Sequence, residues 1–256
     1  MPFIQDWSGS NIEVALSKGG TLAVANPFSN LLLIKGTSFP PSEILQKLYA
    51  SNQSNAFIDA NAEISSRYLG YYCDLQSIHS EDAITWSFFG TLLYAEETIR
   101  NRYVEELLRL LHIEGINVAS SQIWLWRRIP HPDTLVSGGP EIDFGILTND
   151  LVLLGEAKWL SGVGVKQGKF KDKDQFTLRK EFFQKLGHRI FPSTSHFVLL
   201  GVSLSGNILD ESDDSINGIK MHMRDTTWES LSGLSSHPLS TDLKKYLEWK
   251  KIHSRK

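Results

Sequence analysis

The chain has 256 residues, 41% of them hydrophobic and 21% charged, with a formal net charge of −3. That is the composition of an ordinary soluble globular protein able to bury a sizeable core, and the chain shows no repeat and no low-complexity tract. A single cysteine, Cys73, excludes an internal disulfide framework and a multi-cysteine zinc site.

The opening MPFIQDWSGS lacks a basic stretch followed by a long apolar run, and no apolar segment reaches the length of a bilayer span. The expectation is a cytoplasmic protein with no membrane partner. Residues 1–75 read as an N-terminal extension of short strands (TLAVA, NLLLIKG) and one helix in SFPPSEILQKLYASN. Residues 76–256 read as the main domain. It opens on a helix from Ser80 towards Gly115, with apolar residues at Ile84, Phe88, Leu92, Ala95, Ile99, Tyr103, Leu107 and Leu111. SSQIWLWRRI, EIDFGIL and LVLLGEAKWL follow as strands, the last two joined through Thr148-Asn149-Asp150 as a hairpin. A glycine- and lysine-rich loop leads to a helix from about Asp174 to Leu186. HFVLLGVSL is a buried strand, LDESDDS an acidic loop, and IKMHMRDTTW a last strand. A basic amphipathic helix, LSTDLKKYLEWKKIHS, ends the chain. The order predicts an α/β fold: a central mixed sheet between helices.

The hydrophobic run LVLLGEAKW carries Glu156 and Lys158 two positions apart. Side chains alternate along a strand, so these two share a face, as Glu141 and Asp143 do on the preceding strand. If the strands pair as a hairpin, Asp143 lies across from the Glu156/Lys158 region. Two carboxylates at close range repel unless a cation sits between them, and hard oxygen ligands select Mg²⁺ or Mn²⁺. Such an ion polarises phosphate oxygens and acidifies bound water, while a lysine orients that water or offsets charge on phosphate. The set suits phosphodiester hydrolysis.

Asp143 followed by Glu156-x-Lys158, in this strand context, resembles the PD-(D/E)xK nuclease superfamily, with its restriction-endonuclease-like fold. The resemblance covers about residues 80–204. It implies a three-layer α/β/α core and a metal-dependent deoxyribonuclease. In that reading Asp143 and Glu156 hold Mg²⁺ (or Mn²⁺), Lys158 acts on the attacking water, and Glu81 of the first helix adds a further acid ligand. Gln175 would position the water or a phosphate, with Arg179 where some members carry a tyrosine. Ile142 stands where the motif proline is expected; a literal Pro132-Asp133 pair falls in a loop-like stretch, so Asp143 is preferred. Glu141, on the face of Asp143, is a further candidate acid.

Positive charge is concentrated nearby: residues 166–189 hold eight lysines or arginines against three acids. Lys166, Lys169, Lys171, Lys173 and Arg179 are the expected DNA contacts. The histidines show no metal-ligand spacing, SKGGTLAV lacks phosphate-loop spacing, and GVSLSG is not a nucleophile elbow. One site cuts one strand, so a double-strand break needs a homodimer or two nicks. The resemblance further implies a bacterial defence or restriction-type role, gated by a protein partner such as a helicase. The alternative is a nucleic-acid-binding or assembly subunit on the same fold; a third is a metal-dependent enzyme of another chemistry.

Overall fold

A computed structural model describes residues 2–16, 20–34, 41–50, 74–134, 139–162 and 173–254. These fold into two compact units, 1–94 with 239–256, and 95–238. The division falls at 94/95 rather than at 75/76, and the C-terminal helix belongs with the first unit. The reason lies in the helical stretch after Ser80. Ser80 caps α2 (Glu81–Thr85) by accepting from the Ala83 N–H, as expected of an N-cap. A π-helical turn, Trp86–Gly90, and a short α3 (Thr91–Leu93) follow. The chain then breaks. Glu96 is extended, and Arg100 turns back onto the Ala95 carbonyl before α4 (Glu97–Leu110) begins. The steps of three and four along the sequence therefore run through two separate helices.

The first unit contains an antiparallel sheet of β1 (Phe3–Gln5), β2 (Asn11–Leu16) and β3 (Leu22–Val24), with α1 (Ser42–Ala50). Residues 30–34 of NLLLIKG do not form the expected strand, and the rest of that stretch lies outside the described residues. The start of the stretch closes a 3₁₀ turn, and Leu31 and Leu32 are buried as irregular chain. Gln76 and Asn30 each donate to two backbone carbonyls, binding the turns to β3. The last helix, Ser240–His253, buries Leu243, Tyr246 and Leu247, and also Lys250. Lys250 Nζ donates to the Ser80 carbonyl at 3.2 Å, and burial pushes its pKa down to about 7.

The second unit is α/β, as the sequence predicts at that level. Six strands form one mixed sheet: β4 (Gln122–Arg128), β5 (Glu141–Leu147), β6 (Leu151–Ala157), β7 (His196–Ser203), β8 (Ser212–Ile216) and β9 (Ile219–Thr227), in the order β4-β5-β6-β7-β9-β8. β4–β5 and β5–β6 pair antiparallel, β6, β7 and β9 are parallel, and β8 closes the far edge antiparallel. The acidic stretch read as a loop thus supplies edge strand β8, its first four residues exposed. Every residue of β6 and β7 is buried, which explains their unbroken apolar runs. α5 (Gln175–Phe182), capped by Asp174 at the Thr177 N–H, continues as a π-turn, Phe183–Gly187. Phe182, Phe183 and Leu186 pack on Val152, Leu154, Phe197 and Leu199.

The glycine inside β6 has a packing reason. The Phe144 ring lies over Gly155, where an added Cβ would stand 2.1 Å from it. Gly155→Ala is expected to lose about 1–3 kcal/mol through overpacking, read as a lower urea midpoint at unchanged m-value.

Candidate active site

The hairpin β5–β6 pairs as expected, with Phe144 opposite Gly155. One further step in this register sets Asp143 opposite Glu156, and residues directly opposite share a face of the sheet. Asp143 Oδ2 accepts the Ala157 N–H at 2.8 Å, which joins the carboxylate to the end of β6. Glu156 is fully buried, and Lys158, just past the strand, is almost so. Lys158 Nζ lies 2.6 Å from Glu156 Oε1 and donates to the Ala157 carbonyl at 3.0 Å. Its backbone is fixed from both sides: the Lys158 N–H donates to Val202 and its carbonyl accepts from Trp228 Nε1 at 2.8 Å.

Arg179 occupies a place the sequence did not suggest. Expected as a nucleic-acid contact, it is fully buried, and its Nη2 meets Glu156 Oε2 and donates to the Glu141 carbonyl at 3.0 Å. α5 packs on the sheet through Phe182 and Phe183, and the same packing turns position 179 inward. Glu141 is thus engaged through its backbone. Gln175, one turn earlier on α5, is half-buried at the start of the helix.

Two carboxylates and two cations therefore meet on this face. Burial, then the nearby Glu156 charge, push the Asp143 pKa well above the usual carboxylate range, against the pull of Arg179 and Lys158. The pairing around Glu156 is ionic but poorly directed. Neither Glu156 oxygen, nor Arg179 Nε or Nη1, has a hydrogen bond of good geometry among the described residues. A buried ion pair repays its desolvation only when its remaining donors and acceptors are satisfied, so this cluster costs stability. Such cost is characteristic of functional sites. A second strain lies directly across β4. Trp126, the position facing Asp143, has φ +51°, and the β4–β5 ladder skips it. A bulky residue in the left-handed region is an outlier of the kind that gathers around active sites.

The other expected residues are placed differently. Glu81 opens α2 in the first unit, whereas the cluster is built from the second unit alone. Lys173 is held by Glu181 at 2.7 Å and Asp133 at 3.5 Å, in a network that also takes in Lys185. Its charge is largely spent there. Asp133, the rival motif acid, is the exposed anchor of that network. Lys166, Lys169 and Lys171 lie outside the described residues.

Sequence reading missed Asp225. The register runs from Glu156 to Gly201 on β7 and Asp225 on β9, so these positions share the row of Asp143. Asp225 Oδ2 accepts from the Ile208 and Leu209 N–H groups at 2.6 and 3.1 Å, pinning the β7–β8 connection over Gly201. The lone glycine in HFVLLGVSL was the signal for such a close approach. Beside it, at the carboxyl ends of β6 and β7, opens a cleft of about 550 Å³ lined by Lys158, Ser161, Ser203, Ser205 and Asn207. Clefts at strand carboxyl ends are the usual ligand sites of open α/β sheets.

No group of three or more His, Cys, Asp or Glu side chains is placed to hold a metal among the described residues. The donors present still suit Mg²⁺ or Mn²⁺. Asp143 and Glu156 are hard oxygen ligands side by side, and Mg²⁺ is commonly held by one or two carboxylates with water and substrate phosphate completing its shell. No protein-family model matches the chain, and no curated protein matches it.

Proposed function

We propose that the chain is a metal-dependent nuclease that hydrolyses phosphodiester bonds of DNA, on a restriction-endonuclease-like fold, in a bacterial defence or restriction-type setting. The observation that carries the reading is the register of the β5–β6 hairpin. Its last pair, Phe144 with Gly155, brings Asp143 to the end of β6, where its carboxylate accepts the Ala157 N–H and Lys158 reaches back to Glu156. Asp143 and Glu156 would hold the ion, which when bound supplies Lewis-acid polarisation of the phosphate and an acidified water. Lys158 lines the cleft, and its ammonium would offset the charge that gathers on a phosphate entering there. Trp228 and Val202 hold the lysine's backbone, which keeps that charge in place as substrate comes and goes. The buried, closely packed site also limits access of bulk water. A protein partner that restrains the activity remains part of the proposal, as does a second copy for double-strand cleavage.

The test is cleavage of supercoiled plasmid and of linear single-stranded DNA in Mg²⁺, Mn²⁺ or EDTA. The wild type is expected to nick only with metal, and Lys158→Ala to fall by about 10²–10⁴-fold. Equal cleavage by both proteins removes Lys158 from its role. DNA binding that persists in EDTA, with no cleavage under any condition, favours the binding-subunit reading instead.

A further inference from the structure

Both Glu156 oxygens already lie against cations before any metal enters. Two carboxylates, Asp143 and Glu156, face two cations, Lys158 and Arg179, and the Glu156 oxygens are divided between them. The Arg179 guanidinium is fully buried and is anchored by the Glu141 carbonyl. A divalent ion at Glu156 therefore meets an oxygen already taken and two positive charges in a medium of low dielectric. The Arg179 contact is also imperfect, since its Nε and Nη1 lack hydrogen-bond partners among the described residues. Those unused donors suit a phosphate, for which a guanidinium is the better-matched cation.

Resting on the nuclease reading, we propose that Arg179 is a resident counter-cation that blocks the metal position at Glu156. A divalent ion binds there only when a phosphodiester arrives to take over the guanidinium and to balance the added charge. Arg179 would then be a positioning residue, and the free protein a poor metal binder. This distinguishes the site from a preformed carboxylate cage, in which the ion binds first and the substrate second. It also supplies a gate against metal-dependent chemistry in the absence of nucleic acid.

The experiment is a Mn²⁺ titration without nucleic acid, followed by calorimetry and by the Mn²⁺-induced rise in Tm. It compares the wild type, Arg179→Met, and Arg179→Met with Glu156→Gln. The wild type is expected to bind weakly, Arg179→Met ten-fold or more tightly than that, and the double variant to lose the gain. Should Arg179→Met not fold, Arg179→Gln, which keeps a donor for the Glu141 carbonyl, takes its place with the same expectation. Arg179→Met binding Mn²⁺ no more tightly than a wild type that cleaves with Mn²⁺ overturns the gate and leaves the nuclease. No Mn²⁺ binding and no cleavage by any form overturns both.

Discussion

Arg179→Met, measured in EDTA, is expected to lose about 3–5 kcal/mol of folding stability, and most of that loss should return when Glu156→Gln is added. The single change removes a cation from a carboxylate that is fully buried and leaves Glu156 with Lys158 alone. An uncompensated buried charge is costly because water can no longer solvate it. The double change removes both charges and replaces them with groups of similar volume, a substitution that is often near neutral. Guanidinium melts of the four members of this cycle give the coupling energy directly. A coupling near zero would mean that the two side chains do not share a buried contact. The solvent-screened network of Lys173, Lys185, Asp133 and Glu181 offers the contrast, since pairs open to water contribute little to stability.

Asp143→Asn is expected to act in opposite directions on stability and on cleavage. Folding raises the Asp143 pKa through burial and the Glu156 charge. A carboxyl whose folded pKa exceeds its unfolded value stabilises the fold below the unfolded pKa, about 3.9, and loses that contribution as pH rises through the folded pKa. Wherever the side chain is ionised it is therefore a burden on the fold. The amide can still accept the Ala157 N–H, but carries no charge against Glu156. The variant should be more stable than the wild type at pH 7. Urea melts across a pH series should show that advantage shrinking towards zero below about pH 4. Plasmid nicking should fall to background in the same protein. A variant that is less stable at pH 7 would place the Asp143 carboxylate in a structural role.

The sheet was legible because its signals are local. Alternation and hairpin chemistry located β5 and β6, and the unbroken apolar run located β7. With period two along each strand, that was enough to bring Asp143 and Glu156 to one face. What the sequence concealed depends on contacts between distant segments. Arg179 read as a nucleic-acid contact because it stands in the basic stretch 166–189; nothing local marks it as the partner of Glu156. Asp225 sits 69 residues from Glu156 and joins its row only through the register of two intervening strand pairs. The break before Glu96 escaped notice because the apolar spacing continues across it, whereas the extended backbone there comes from tertiary hydrogen bonds at Arg100. The β8 strand was hidden by composition, as Ser212-Asp213-Asp214-Ser215 has the residues of a turn.

That last strand has a bearing on assembly. A sheet that ends in an open strand exposes a row of backbone donors and acceptors to any other strand that drifts alongside. Here the row carries Asp213 and Asp214, so two copies meeting by this edge would press aspartates against aspartates. On its inner side Arg224 and His222 hold Asp213, and Lys180 holds Asp214. The acidity is thus fixed in place as a guard on the sheet, and a second copy would have to associate by a different surface.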